Sequence, residues 1–71
     1  MTRIARLSRR EREVMEHMLR GLLNKQIADC MTISITTVKK HRARVMEKMQ
    51  VGSVAELVHL CEMAGLGGMP R

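Results

Sequence analysis

No phenylalanine, tyrosine or tryptophan occurs in this chain. Its interior must therefore come from Leu, Ile, Val, Ala and eight methionines, which fill irregular gaps but specify shape weakly. The missing aromatics also remove the side chains that anchor peptides at a membrane interface. No apolar run is long enough to cross a bilayer and no signal peptide is visible, so the default expectation is a cytoplasmic protein without a membrane partner. The two cysteines, Cys30 and Cys61, are too few for a disulfide framework and form no CxxC pair. Both sit among apolar residues and read as buried, reduced thiols. Together with the scattered His17, His41 and His59 they lack the spacing of a zinc site, so neither a metal nor another cofactor is expected. No nucleophile motif and no glycine-rich phosphate loop appears, which leaves no case for an enzyme. At 71 residues the chain is one domain at most. A domain of that size buries only about 60% of its unfolded surface, so its stability should be modest.

What is present is positive charge. Thirteen Lys and Arg against seven Asp and Glu give a net charge of +6, which points to a polyanion. The charge is concentrated in two segments. Residues 2–12 carry Arg3, Arg6, Arg9, Arg10 and Arg12, and residues 39–48 carry Lys39, Lys40, Arg42, Arg44 and Lys48 against Glu47 alone. Residues 51–64 carry Glu56 and Glu62 and no cation.

The local signals are helical, and the chain reads as all-α with four helices. Ser8-Arg9-Arg10-Glu11 is a capping box, in which Ser accepts from an orphan amide and Glu reaches back to the cap amide. Val14, Met15, Met18 and Leu19 follow at helical spacing, and Gly21 supplies a left-handed stop, giving helix one over about residues 9–20. Asn24 is a plausible N-cap for a short helix two, whose inner face is Ile27, Ala28 and Met31. Ser34 is a good N-cap for helix three over about residues 35–49, which Val51-Gly52 breaks. Ser53-Val54-Ala55-Glu56 is a second capping box. It opens helix four, which runs to about Ala64 and is capped by Gly65, with Gly67, Gly68 and Pro70 in a loose tail. A short helix and a long one separated by a tight turn is the helix-turn-helix layout.

The long helix carries the chemistry. At 100° per residue from Lys39, the residues Ile35, Val38, Val45, Met46 and Met49 fall within about 240–340°, an apolar stripe that must face the core. Thr36, Lys39, Lys40, Ala43 and Glu47 share an opposite, polar arc. Thr37, His41, Arg44 and Lys48 form a basic shoulder beside it. A major groove admits one such helix. Lys39 and Lys40 can donate to guanine acceptors, Ala43 can sit against a thymine methyl, and Thr36 can add a hydroxyl contact. Thr37, His41, Arg44 and Lys48 are then phosphate candidates. Lys25, at the start of helix two where free amides attract phosphate, is another. The alternative is that these charges are a solvated helix face. Arg42 falls inside the apolar stripe; either it pairs with Glu11 or Glu13 of helix one, or its stem snorkels to the edge.

These elements together resemble one family. Leu7-Ser8-Arg9-Arg10-Glu11-Arg12-Glu13-Val14-Met15 is similar to its opening signature. Gly21-Leu22-Leu23-Asn24-Lys25-Gln26-Ile27-Ala28 is similar to its second element. Ile33-Ser34 with Thr37-Val38-Lys39-x-His41 is similar to its third, and Val45-Met46-x-Lys48-Met49 resembles the end of the same helix. The chain resembles the LuxR-type (GerE-like) helix-turn-helix domain found at the C-terminus of NarL/FixJ response regulators, most closely the FixJ branch, over about residues 7–66. The resemblance implies a four-helix, sequence-specific DNA-binding domain with helix three in the major groove, the output half of a two-component transcriptional regulator. It also implies a dimer contact through helix four when two copies bind double-stranded DNA. Val54, Leu57, Val58 and Cys61 are the candidates, since with Leu60 and Met63 they spread over more of that helix than one core face needs. Which of them are ordinary core is left open. RNA polymerase is a further candidate partner. The family's phosphorylated receiver domain is absent from this chain, so residues 1–6 read as a linker remnant or flexible N-terminus and 67–71 as a flexible tail. Where relatives place a third base-reading side chain, this sequence has Ala43, which leaves the operator unassigned. The rival readings are a sigma-factor region-four domain, against which the capped fourth helix argues, an interaction module docking through helix four, and a membrane-surface peptide.

Overall fold

The computed structural model describes residues 3–63, which form a 3-10 turn (Arg3–Arg6) and four α-helices: α1 (Arg9–Leu19), α2 (Asn24–Met31), α3 (Ile35–Met49) and α4 (Val54–Met63). Among the described residues there is no strand, and the fold is all-α. The expected end of helix four at Ala64, its Gly65 cap and the 67–71 tail lie outside the described residues. Residues 3–6, expected as linker or flexible N-terminus, form the 3-10 turn, with Ile4 and Leu7 packed on the core.

Each helix starts where a side chain satisfies its free amides. Ser8 Oγ accepts from the Glu11 amide at 3.2 Å and Glu11 Oε1 accepts from the Ser8 amide at 2.9 Å, the complete reciprocal box. Such a cap contributes about 1 kcal/mol. Ser34 Oγ accepts from the Thr37 amide at 3.1 Å. Ser53 Oγ accepts from the Glu56 amide at 3.1 Å. For α2 the expectation is corrected: Leu23, not Asn24, is the N-cap, and Asn24 is the first helical residue. Leucine offers no acceptor, and the start is held instead by Gln26 Oε1, which accepts from the Leu23 amide at 2.8 Å.

Three helices end in the same way. After α1 the Gly21 amide donates to Met18 O and the Leu22 amide to His17 O, with Gly21 at φ +81°. The same pair of bonds closes α2 through Thr32 (φ +57°) and Ile33, and α3 through Gln50 (φ +58°) and Val51. The break after α3 is thus made by Gln50 rather than by Gly52. The residue following the left-handed position is Ile33 in one case and Val51 in the other, and both pack against the core. That apolar contact belongs to the motif and fixes which residue must turn, whether or not it is glycine.

The core consists of Val14, Met15 and Met18 from α1, Ile27, Ala28 and Met31 from α2, Val38, Val45 and Met49 from α3, and Leu57 and Cys61 from α4. α3 lies at its centre and touches all three other helices and the N-terminal turn. Within the apolar stripe of α3, Val38, Val45 and Met49 are buried and Met46 half-buried, but Ile35, at its first position, is 42% exposed. It lies at the helix end, ahead of the enclosed stretch. Cys61 is buried as expected, and desolvation pushes its thiol pKa up. Cys30 is exposed, because α2 turns Ile27, Ala28 and Met31 inward and leaves Cys30 on its outer flank.

Candidate nucleic-acid interface

The candidate surface is the side of α3 that the core does not use. Thr36, Lys39, Lys40, Ala43, Arg44 and Glu47 are all exposed on it. Thr37 and His41 are half-buried, and the Thr37 hydroxyl lies 2.9 Å from Ser34 Oγ, so it completes the N-terminal cap of the helix. Lys25 is exposed at the second residue of α2.

The cations of this face, like Arg6, Arg9, Arg20 and Lys25 elsewhere, enter no ion pair among the described residues. Among the described residues there are three ion pairs, and α1 supplies the carboxylate in each: Arg10–Glu13 at 3.1 Å, Arg12–Glu16 at 3.9 Å and Lys48–Glu11 at 2.7 Å. α1 therefore neutralises part of its own charge. Lys39, Lys40 and Arg44 have no carboxylate within ion-pair distance among the described residues, so their charge faces solvent. A surface that keeps three cations uncompensated on one helix is a footprint for a polyanion.

Lys48 sits differently from its expected place among the phosphate candidates. It is half-buried, and its Nζ donates to Glu11 Oε1. Glu11 is 6% exposed, and the bonds from Lys48 and from the Ser8 amide hold its carboxyl below the ordinary glutamate range. Of the two alternatives for Arg42, the pairing with Glu11 or Glu13 is not the one formed, since Glu11 holds Lys48 and Glu13 holds Arg10. α1 presents Glu11 to the last turn of α3, more than one turn beyond Arg42, which is half-buried with no ion pair among the described residues. The sequence reading also missed Arg3, whose Nη1 donates to Met49 O at 3.2 Å. A cation is favourable at the negative end of a helix dipole, but nothing near Arg3 in the sequence places it there.

The dimer candidates divide. Leu57 and Cys61 are fully enclosed and belong to the core, because α4 seats them against the rest of the cluster. Val54 and Val58 are half-buried. Met63 is 74% exposed, beside a shallow depression lined by Arg3, Gln50, Val51, Glu56, His59 and Leu60. His17, expected at the surface, is half-buried with Nδ1 enclosed, and Asn24 Oδ1 is likewise enclosed; neither atom has a partner among the described residues. Among the described residues no three His, Cys, Asp or Glu side chains converge on a common point, and no helix is long and apolar enough to cross a membrane.

A four-helix unit with a short helix, a tight turn and a long outward-facing basic helix defines the helix-turn-helix class of regulator. Residues 5–61 match the family described as bacterial regulatory proteins, luxR family, and the chain belongs to that family of transcriptional regulators, which are not enzymes. It is 52% identical over 64 residues to the transcriptional regulatory protein FixJ of Bradyrhizobium diazoefficiens, covering 90% of this chain and 31% of that protein. It is 50% identical over 56 residues to the tetrathionate response regulatory protein TtrR of Salmonella typhimurium, covering 79% of this chain and 27% of that protein. Among solved structures, full-length FixJ from B. japonicum superposes with a TM-score of 0.85 at 52% identity, over 90% of this chain and 32% of that one. The response regulator StyR superposes with a TM-score of 0.84 at 46% identity, over 86% and 31%. The chain thus spans about a third or less of the length of these relatives.

Proposed function

We propose that this chain is the sequence-specific DNA-binding output domain of a two-component response regulator acting in the cytoplasm, with α3 in the major groove. The observation that carries the reading is the uncompensated charge of Lys39, Lys40 and Arg44 on the outer face of a helix held by every other element of the fold. In this reading Lys39, Lys40, Ala43 and Thr36 read base edges, while Arg44, His41, Thr37 and Lys25 contact phosphates. Two copies pair on double-stranded DNA through the outer side of α4. There Val58 is the contact residue, since Leu57 and Cys61 are spent on the core and Val54 packs against it. RNA polymerase is the further partner such a regulator addresses. The kinship with FixJ and TtrR, named as regulatory proteins, supports the assignment.

The test is fluorescence anisotropy of a labelled mixed-sequence duplex at several salt concentrations, repeated with Lys39→Ala/Lys40→Ala. Binding in the range of about 10⁻⁴–10⁻⁶ M that weakens steeply with salt is expected, with a shallower salt dependence in the folded double variant. A helical, soluble parent that fails to bind at low salt overturns the reading and turns attention to α4 as a protein-docking surface.

A further inference from the structure

Glu11 and Lys48 form the one ion pair among the described residues that joins two helices. Helical geometry places Lys48 on the same basic edge as Arg44, one turn further along. By position it belongs to the row of phosphate-contacting cations, yet its Nζ lies 2.7 Å from an almost fully enclosed carboxylate. That carboxylate is held in place independently, because Glu11 Oε1 also accepts from the Ser8 amide. The acid therefore does not follow the lysine if the lysine swings outward. An ammonium whose charge is already neutralised releases no condensed counterion when a phosphate approaches, and sequence-independent affinity is a count of such releases.

We propose that Glu11 is a specificity-determining residue: by holding Lys48 against α1 it withdraws one cation from the phosphate-binding edge of α3, shortening the sequence-independent footprint and leaving the base-reading residues a larger share of the affinity. The proposal rests on the DNA-binding reading above and assigns within it a role to a residue of α1 that faces away from the groove.

The experiment compares the parent with Glu11→Gln, Lys48→Met, the double variant Glu11→Gln/Lys48→Met, and Arg44→Gln, each checked for helicity by circular dichroism, on a mixed-sequence duplex across a salt series. Glutamine keeps an acceptor for the Ser8 amide but leaves the ammonium uncompensated. Glu11→Gln is expected to bind more tightly at low salt and to lose up to about 3.5-fold more affinity than the parent between about 50 and about 200 mM salt, which is one added phosphate at a slope of about 0.9. Lys48→Met and the double variant, in which both partners are neutral, are expected to match the parent. The double variant keeps this arm readable if Lys48→Met alone unfolds. Arg44→Gln is expected to lose one phosphate from the slope. A shallower slope in the folded Lys48→Met variant or in the double variant overturns the proposal, as does an unchanged slope in folded Glu11→Gln. Failure of the parent itself to bind overturns the DNA-binding reading and the proposal together, and is distinguished by a flat Arg44→Gln comparison.

Discussion

α4 is the more apolar helix, seven of its ten residues against six of fifteen in α3, yet both bury a line of apolar side chains and they are used in opposite ways. α3 buries Val38, Val45 and Met49, is flanked by all the other elements, and has its last turn tied twice, by Lys48 to Glu11 and by Arg3 to Met49 O. α4 buries Leu57 and Cys61 along one line and contacts α1 and α3. A helix that must present side chains to a rigid groove is thus fixed on several sides. A helix that only closes the core is left with a free outer side, including Met63. The elements packed around each helix, beyond its own apolar pattern, set the two roles apart.

Four perturbations test this difference between the helices. The largest effect is expected at Leu57, the residue through which α4 is seated. Leu57→Ala should destabilise the domain by about 2–5 kcal/mol in urea titration, and the half-buried Val58→Ala by clearly less. Unchanged stability with lost pairing on DNA would return Leu57 to an interface. Next comes the tie at the end of α3. Because the folded-state pKa of Glu11 is depressed, its stabilisation is present above the ordinary glutamate value of about 4.3 and is lost as pH falls through the lower folded value. Thermal melts from about pH 6 down to about pH 3 should show this loss in the parent and a smaller one in Glu11→Gln. A smaller effect is expected at Gln50, which holds a left-handed conformation without being glycine. Gln50→Gly should stabilise by up to about 1 kcal/mol, the relief of left-handed strain less the entropy that glycine loses. The smallest is at Met63, where Met63→Gln should shift stability by no more than about 0.5 kcal/mol. A larger loss there would mean that α4 is held on its outer side too.

Much of this was legible in the sequence. Ser8, Ser34 and Ser53 announced three helix starts, because a capping side chain acts within four residues and needs no distant partner. The outer face of α3 was legible for a similar reason, since periodicity alone separates Lys39, Lys40 and Ala43 from Val38 and Val45. The residues that the sequence left open or placed differently are those whose surroundings come from elsewhere in the chain. Lys48 and Arg42 compete for Glu11, and only the packing of α1 on α3 decides between them. Leu57 and Val58 are neighbours on one helix, yet the direction from which α1 approaches makes one core and the other half-exposed. Cys30 was judged by its apolar neighbours in sequence, which face inward as it faces out. Gln50 turns left-handed because Val51 must reach the core, a demand invisible at Gln50 itself.

An interior packed from thioethers in place of rings also has a chemical life of its own. Met15, Met18, Met31 and Met49 are sealed inside, while Met63 stands in solvent. A mild oxidant converts an accessible methionine to its polar sulfoxide, so among the described residues Met63 is the first to change and does so without disturbing the fold. The enclosed four are reached only when the domain opens, and each sulfoxide then makes reclosing harder. Oxidation of these four, followed by mass, therefore clocks how often the domain opens, and under sustained oxidant that clock runs in one direction.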